Sequence, residues 1–332
     1  MNLQYRIDLL SRLGGYILSD DAAWQDAKAE AGSRNSWFIP PFINLATHNI
    51  AELFLQEAIL TNWAKKYKVP MENKNPKTVG VTMAGNIPLA GFHDFMTVFL
   101  SGHKIVIKPS SKDEVILKHV VAKLIEWDAS LNDSIRIAEM LKGCDAYIAT
   151  GSNNTSRYFE YYFGKYPHII RRNRTSVAIL QGDESSGELD KLADDVYLYF
   201  GLGCRNVTKL YVPMDYDFLP LLNSFKKYDH LATLNKYKNN YDYNLAILIL
   251  NKQIYMSNES ILLTEDKALF SPVSRLNYEH YSSKQSVQNE LSGNNDLQCI
   301  VGHGHVPFGR AQFPAIDDFA DGVNTLTFLL NL

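Results

Sequence analysis

Between residues 78 and 180, short apolar runs alternate with amphipathic stretches, and this alternation restricts the fold more than any other feature of the chain. Thr78–Met83 reads as a buried strand, and Leu89–Leu100 as a helix closed by Ser101-Gly102. Lys104–Lys108 is a second strand, stopped by Pro109-Ser110-Ser111. Val115–Trp127 places Val115, Leu117, Val120, Val121, Leu124 and Ile125 at helical spacing. Ala146–Ala149 and Ser176–Leu180 are strand-like, while Ile135–Leu141 fits either period. Strands separated by helices in this way argue for a doubly wound α/β sheet.

The flanks differ. Residues 1–68 are helical by pattern, with Leu3, Ile7, Leu10 and Leu13 on one stripe, Pro40-Pro41 at a turn between helices, and Pro70 ending the last one. Beyond Cys204, Lys209–Val212 and Leu245–Leu250 read as strands, with a helix around Phe218–Tyr228 and a polar stretch, Asn235–Asp242, between them. Ser282–Asn295 reads as a helix running into a loop. A length of 332 residues suits roughly two domains. The expected division is residues 1–199 (N-terminal helices and a cofactor-binding domain), 200–306 (a domain carrying a catalytic thiol) and 307–332 (a C-terminal segment packing back near the active-site cleft).

Composition narrows the function. With 33 Lys+Arg against 36 Asp+Glu and 46% hydrophobic residues, the chain is neither a disordered polyelectrolyte nor a basic nucleic-acid binder. Cys144, Cys204 and Cys299 are too few and too scattered for a disulfide framework or a metal-ligand pattern, which fits a reducing compartment. The longest apolar run, Leu245–Leu250, is far too short to span a bilayer, and the N-terminal stripe is interrupted by charges, unlike a signal peptide. A cytoplasmic location is expected. No metal is expected either, since His303 and His305 have no further ligands that the sequence identifies.

Gly-x-Gly-x-x-Gly follows none of the strands, and a P-loop is absent. Four other segments stand in a telling order. Met83-Ala84-Gly85-Asn86-Ile87-Pro88 ends the first strand, where open α/β sheets bind ligands. Ile105-Val106-Ile107-Lys108-Pro109-Ser110-Ser111 ends the second with a cation and two hydroxyls. Thr150-Gly151-Ser152 opens a helix, a position suited to phosphate or ribose. Phe200-Gly201-Leu202-Gly203-Cys204-Arg205-Asn206 then presents a thiol behind two glycines. This order resembles the aldehyde dehydrogenase superfamily. Together with Pro307-Phe308-Gly309-Arg310-Ala311-Gln312-Phe313-Pro314 and Asp318–Thr325, it is similar to the LuxC-type acyl-CoA reductases over roughly residues 77–332.

The resemblance implies a Rossmann-like cofactor domain joined to a smaller α/β catalytic domain, with the site in the cleft between them. It makes Cys204 the nucleophile, Asn86 the oxyanion-holding amide, and Lys108 a contact to the cofactor's adenosine ribose. Pro109 and Ser110 belong to that same cofactor-binding turn, and Gly151 and Ser152 to the turn that opens the next helix. NADPH is the implied cofactor, with NADH left open, and acyl-CoA the substrate. A homo-oligomer and an acyl-transferring protein partner also stay open. The chain is shorter than a typical member, so loops or oligomerisation elements are expected to be trimmed.

Two departures sharpen the reading. The superfamily glutamate expected just before Ser176 is replaced by Ile169-Ile170-Arg171-Arg172-Asn173-Arg174, and a second one, before Phe270-Ser271-Pro272-Val273, by Ala268-Leu269. A carboxylate base is needed to hydrolyse an acyl-cysteine, and thioester exchange needs none. The loss therefore fits acyl-CoA reduction. It is also compatible with a non-catalytic nucleotide-binding or assembly subunit, while acyl-phosphate or acyl-protein reduction would use the same thiol chemistry. The basic run Arg171, Arg172 and Arg174 reads as a solvated loop or as a grip on phosphates. Tyr158–Phe163 reads as core and interface aromatics or as the lining of an acyl tunnel.

Overall fold

The apolar runs near residues 80, 106 and 148 lie at the centre of a five-stranded parallel sheet in the computed structural model, which describes residues 1–332. The chain divides into two units, Met1–Asn173 with Pro314–Leu332, and Arg174–Phe313. In the first, α1 (Leu3–Ile17), α2 (Ala22–Arg34), α3 (Pro40–Leu53) and α4 (Glu57–Lys66) precede the sheet. Pro40 and Pro41 open α3, where a missing N–H costs nothing. Then follow β1 (Thr78–Thr82), α5 (Phe92–Ser101), β2 (Lys104–Lys108), α6 (Val115–Trp127), β3 (Ile135–Ile137), β4 (Ala146–Thr150), α7 (Asn153–Phe163) and β5 (His168–Arg171).

The strand order is β3-β2-β1-β4-β5, with Thr82 paired to Lys108 and to Ala149. The interiors of β1, β2 and β4 are wholly buried, as parallel strands covered on both faces must be. Leu10, Leu13, Trp24, Leu60, Phe95 and Ile116 fill the same core from the helices. Arg6, amid the stripe of α1, is buried too, and donates to the carbonyls of Leu100 at 3.0 Å and Met1 at 2.7 Å. It thereby caps the C-terminal end of α5.

The second unit contains β6 (Thr175–Ile179), α8 (Ser186–Tyr197), β7 (Val207–Pro213), α9 (Phe218–Phe225), α10 (Asn235–Leu250), β8 (Met256–Ser257), β9 (Leu262–Glu265), β10 (Arg275–Tyr281), α11 (Lys284–Leu291) and β11 (Leu297–Gly302). Its sheet runs β11-β6-β7-β10-β9-β8, parallel except for β8. Val177, Ile179, Tyr211, Val287 and Leu291 form one of its cores. A final helix, α12 (Thr325–Leu330), lies in the first unit, where His103 Nε2 meets the Leu329 carbonyl at 2.9 Å.

Several sequence expectations change here. The division falls at residues 173/174 and 313/314 rather than near 199/200 and 306/307, because β6 is a strand of the second sheet and α8 belongs to the same unit. Only residues 172–174 separate β5 from β6, so no linker marks the crossing. Leu245–Leu250 is the end of α10, not a strand, since a short apolar run fits either period. The basic run is a solvated loop only at exposed Arg172, between β5 and β6. Arg171 ends β5, is 3% exposed, and is ion-paired with buried Asp94; Arg172 lies 3.6 Å from Glu160, and Arg174 donates to the Leu297 carbonyl at 2.9 Å. Tyr158, Tyr161 and Tyr162 are 60–81% exposed rather than core, while Phe163 stacks on Tyr147 at 4.1 Å. No helix is long and apolar enough to cross a membrane.

Candidate active site

At the C-terminal edge of the first sheet, the chain leaves β1 toward β2 on one side and β4 on the other, so the strand order reverses between β1 and β4. Open α/β sheets bind ligands at such a switch point. The loops after β1, β2 and β4 carry Asn86, Lys108-Pro109-Ser110 and Gly151-Ser152 respectively, so the structure collects all six residues at one edge.

Close packing holds the first two loops together. A Cβ on Gly85 would overlap the Ser110 side chain, so only glycine allows this approach. Asp113 Oδ2 accepts from the Leu89 N–H at 2.6 Å, which fixes a left-handed residue (φ 54°) three positions beyond Asn86. Burial pushes the Asp113 carboxyl well above the usual carboxylate range. Asn86 and Lys108 are exposed, and Ser110 is half-buried. In the third loop Gly151 N–H donates to the Arg171 carbonyl at 3.3 Å, and Ser152 Oγ caps α7 by accepting from Thr155 N–H at 3.2 Å.

Cys204 sits in the second unit on a strongly bent turn. Tyr199, Phe200 and Gly201 have φ of 54°, 58° and 72° in succession, and two of them are non-glycine residues paying a steric cost. One side chain holds the turn in place. Asn206, fully buried, accepts from Gly203 N–H at 2.8 Å and donates to the carbonyls of Asp195 at 3.0 Å and Leu198 at 2.9 Å. It thus ties the end of α8 to the residue before the thiol. Ser176 Oγ donates to the Cys204 carbonyl at 3.1 Å and also lies 3.1 Å from Cys299 Sγ. Cys204 itself is exposed, although its polar neighbours Arg205 and Asn206 are buried. Cys144 is buried, and its thiol is pushed up by that burial. Asn206→Ala is expected to cost about 1–3 kcal/mol of unfolding free energy, because a buried donor and several carbonyls lose their partner. An unchanged denaturant midpoint would show that the amide holds nothing.

Asp195 anchors the C-terminal motif to the same helix. Its Oδ2 accepts from Gly309 N–H at 2.6 Å and its Oδ1 from Ala311 N–H at 2.9 Å. Burial raises the carboxyl to about 7 against the pull of those two donors. A carboxyl raised in the folded state favours folding fully below its unfolded pKa, and that contribution is lost as pH rises through the folded one. The window therefore runs from about pH 4 to about pH 7. Asp195→Asn is expected to flatten the melting temperature across it; an unaltered slope would assign the dependence elsewhere.

The sequence singled out the candidate site residues but not the side chains that support them. Asn206 was visible only as a polar neighbour of Cys204, and Asp113, Ser176 and Asp195 carried no motif of their own. His303 pairs with Glu188 at 2.7 Å, and no group of three or more His, Cys, Asp or Glu is placed to hold a metal ion.

A family model described as acyl-CoA reductase (LuxC) matches residues 44–220, more than half of the chain. No curated protein matches the sequence. Among solved structures, an NAD-dependent aldehyde dehydrogenase from Sinorhizobium meliloti is similar over 91% of this chain and 70% of its own, with a TM-score of 0.65 at 12% identity. An aldehyde dehydrogenase from Mycobacterium tuberculosis, complexed with NAD+, is similar over 91% and 73%, with a TM-score of 0.66 at 12% identity. One from Bacillus cereus, also an NAD+ complex, gives 91% and 72%, 0.62 and 13%. The fold is aldehyde-dehydrogenase-like.

Proposed function

The chain belongs to the LuxC acyl-CoA reductase family, and from that premise we propose that it reduces an acyl-CoA to the aldehyde with NADPH, through an acyl-cysteine on Cys204. The observation that carries the reading is an exposed thiol on a turn made rigid by amide and hydroxyl groups. The carboxyl tied to that turn, Asp195, is buried with both oxygens occupied, so it is no base for water. Such a site suits thiol exchange better than hydrolysis.

In the first step Cys204 attacks the thioester carbonyl as thiolate, and the C–S bond to coenzyme A breaks. Exchange between two similar thiols is close to thermoneutral and depends mainly on the thiolate fraction. The Cys204 backbone N–H would donate to the developing oxyanion, and the resemblance to the family makes the Asn86 amide a second donor. A nicotinamide dinucleotide suits the edge of the first sheet, where a glycine lets two loops meet and a capped helix start, an exposed lysine and a serine hydroxyl stand together. There Gly151 and Ser152 would hold phosphate or ribose, and Lys108, Pro109 and Ser110 the adenosine end. Bound in reduced form, that group supplies hydride. Cys204 finally departs as thiolate from the thiohemiacetal, releasing the aldehyde.

The test is absorbance of reduced nicotinamide in the presence of short- to long-chain acyl-CoAs, with NADPH and NADH compared. Acyl-CoA-dependent oxidation with stoichiometric coenzyme A release is expected. No oxidation with any chain length would overturn the proposal.

A further inference from the structure

Two of the chain's cysteines meet at Ser176, in the interior of the second sheet. The ladder on both sides of this residue is irregular. Toward β11, Thr175 pairs with Leu297 and Val177 with Ile300, so Gln298 and Cys299 together stand opposite Ser176. Toward β7, Ser176 pairs with Val207 and Val177 with Lys209, which leaves Thr208 as the extra residue. Such β-bulges re-aim side chains that a regular ladder would alternate between faces.

At the bulge, Cys299 N–H donates to Ser176 Oγ at 3.2 Å, and Cys299 Sγ lies 3.1 Å from the same oxygen. Ser176 has one proton to give, and it goes to the Cys204 carbonyl at 3.1 Å. The Cys299 thiol is therefore the donor in its contact with the serine. Ser176 is fully buried, Cys299 half-buried and Cys204 exposed. One buried hydroxyl thus joins the main chain of the exposed thiol to the sulfur of the half-buried one, all within the second unit. Cys144 is buried in the first unit.

We propose that Cys299 is a resolving thiol for Cys204, closing a reversible disulfide with it once a peroxide has oxidised Cys204. The Cys204 thiolate attacks one peroxide oxygen, the O–O bond breaks, and hydroxide leaves and takes up a proton to become water. Cys204 is then a sulfenic acid. The Cys299 sulfur attacks that of Cys204, the S–O bond breaks, a second water leaves and the S–S bond forms. The two thiols lose two electrons, and the peroxide gains them. A sulfenic acid condenses with a neighbouring thiol in this way; without one it goes on to sulfinic acid, which small thiols do not reduce. Bridging requires Cα atoms within about 7 Å. Cys204 lies on the loop before β7 rather than in the sheet, so it is the partner that can close on β11. While bridged, Cys204 can neither take up an acyl group nor be oxidised further. The bridge involves only two sulfurs and a peroxide, so it stands or falls apart from the reaction proposed above.

Limited treatment of the full chain with hydrogen peroxide tests it, followed by alkylation under denaturing conditions, intact mass and peptide mapping. The expected product has lost two hydrogens, keeps only Cys144 open to alkylation, and yields a Cys204–Cys299 cross-linked peptide that dithiothreitol abolishes. In Cys299→Ser the bridge should be lost entirely, and Cys204 should gain oxygens that dithiothreitol does not remove. Mapping of the unaltered chain decides the matter alone should that variant fail to fold. Four results would each overturn the proposal: sulfinic acid forming at Cys204 as readily in the unaltered chain as in the variant, a bridge to Cys144, a bridge only between two chains, or no oxidation of Cys204 at all.

Discussion

Replacing Cys204 by alanine is expected to abolish acyl-CoA-dependent oxidation of reduced nicotinamide while leaving the fold as stable as before. Cys204 is exposed, so its sulfur contributes little packing, and the turn is held by backbone groups and by Asn206 and Ser176. Surface substitutions of this kind usually fall within about 0.5 kcal/mol. The chemistry has no such tolerance, because the acyl group would have nowhere to transfer. Asn86→Ala should behave differently, lowering turnover by about 10²–10³ as one oxyanion donor is lost, with a smaller change in KM. Spectrophotometric rates together with melting curves check both. Substantial turnover by the alanine variant at position 204 would remove the thiol from the mechanism.

Truncating Asp94 or Arg171 should unfold the first unit far more readily. The pair is almost wholly buried, and Arg171 also donates to the buried Thr325 hydroxyl at 2.8 Å. It therefore joins β5, α5 and the start of α12 within one unit. Removing one partner leaves an uncompensated charge in low dielectric, at an expected cost of about 3–5 kcal/mol. Replacing both by apolar residues of similar size, Asp94→Leu with Arg171→Met, should recover much of that loss, because neither ion then has to be desolvated. Denaturant titrations of the two single variants and the double variant supply the comparison. A cost below about 1 kcal/mol for Arg171→Ala would place the pair among weak surface bridges.

That pair also shows where sequence reading stops. Three arginines within four residues carry no sign of which one a strand will turn inward, and Asp94 lies far away in the chain. The parallel sheet was legible because β1, β2 and β4 are short, continuously apolar and punctuated by Gly, Pro and Ser, so the loops after them could be assigned to the ligand edge. The crossing at residues 172–174 was not, because it contains neither glycine nor proline. Leu245–Leu250 misled for another reason. An apolar run has no period of its own, and the helix shows itself only when Tyr237, Tyr241, Asn244 and Leu248 are counted together across the polar stretch before it. The same run is apolar toward solvent, so a half-buried pattern never emerges. Around Cys204 the two preceding glycines were visible, but the bend is made by three successive left-handed residues, two of them not glycine. The buried amide that stabilises the bend could be found only in three dimensions.

The most direct test of the account is the mass of the intact protein after incubation with an acyl-CoA and no reduced cofactor. An increase equal to one acyl group, released by hydroxylamine and mapped by peptide analysis to Cys204, is the expected result. A protein that stays unmodified, or one acylated at Cys144 or Cys299 instead, would contradict it.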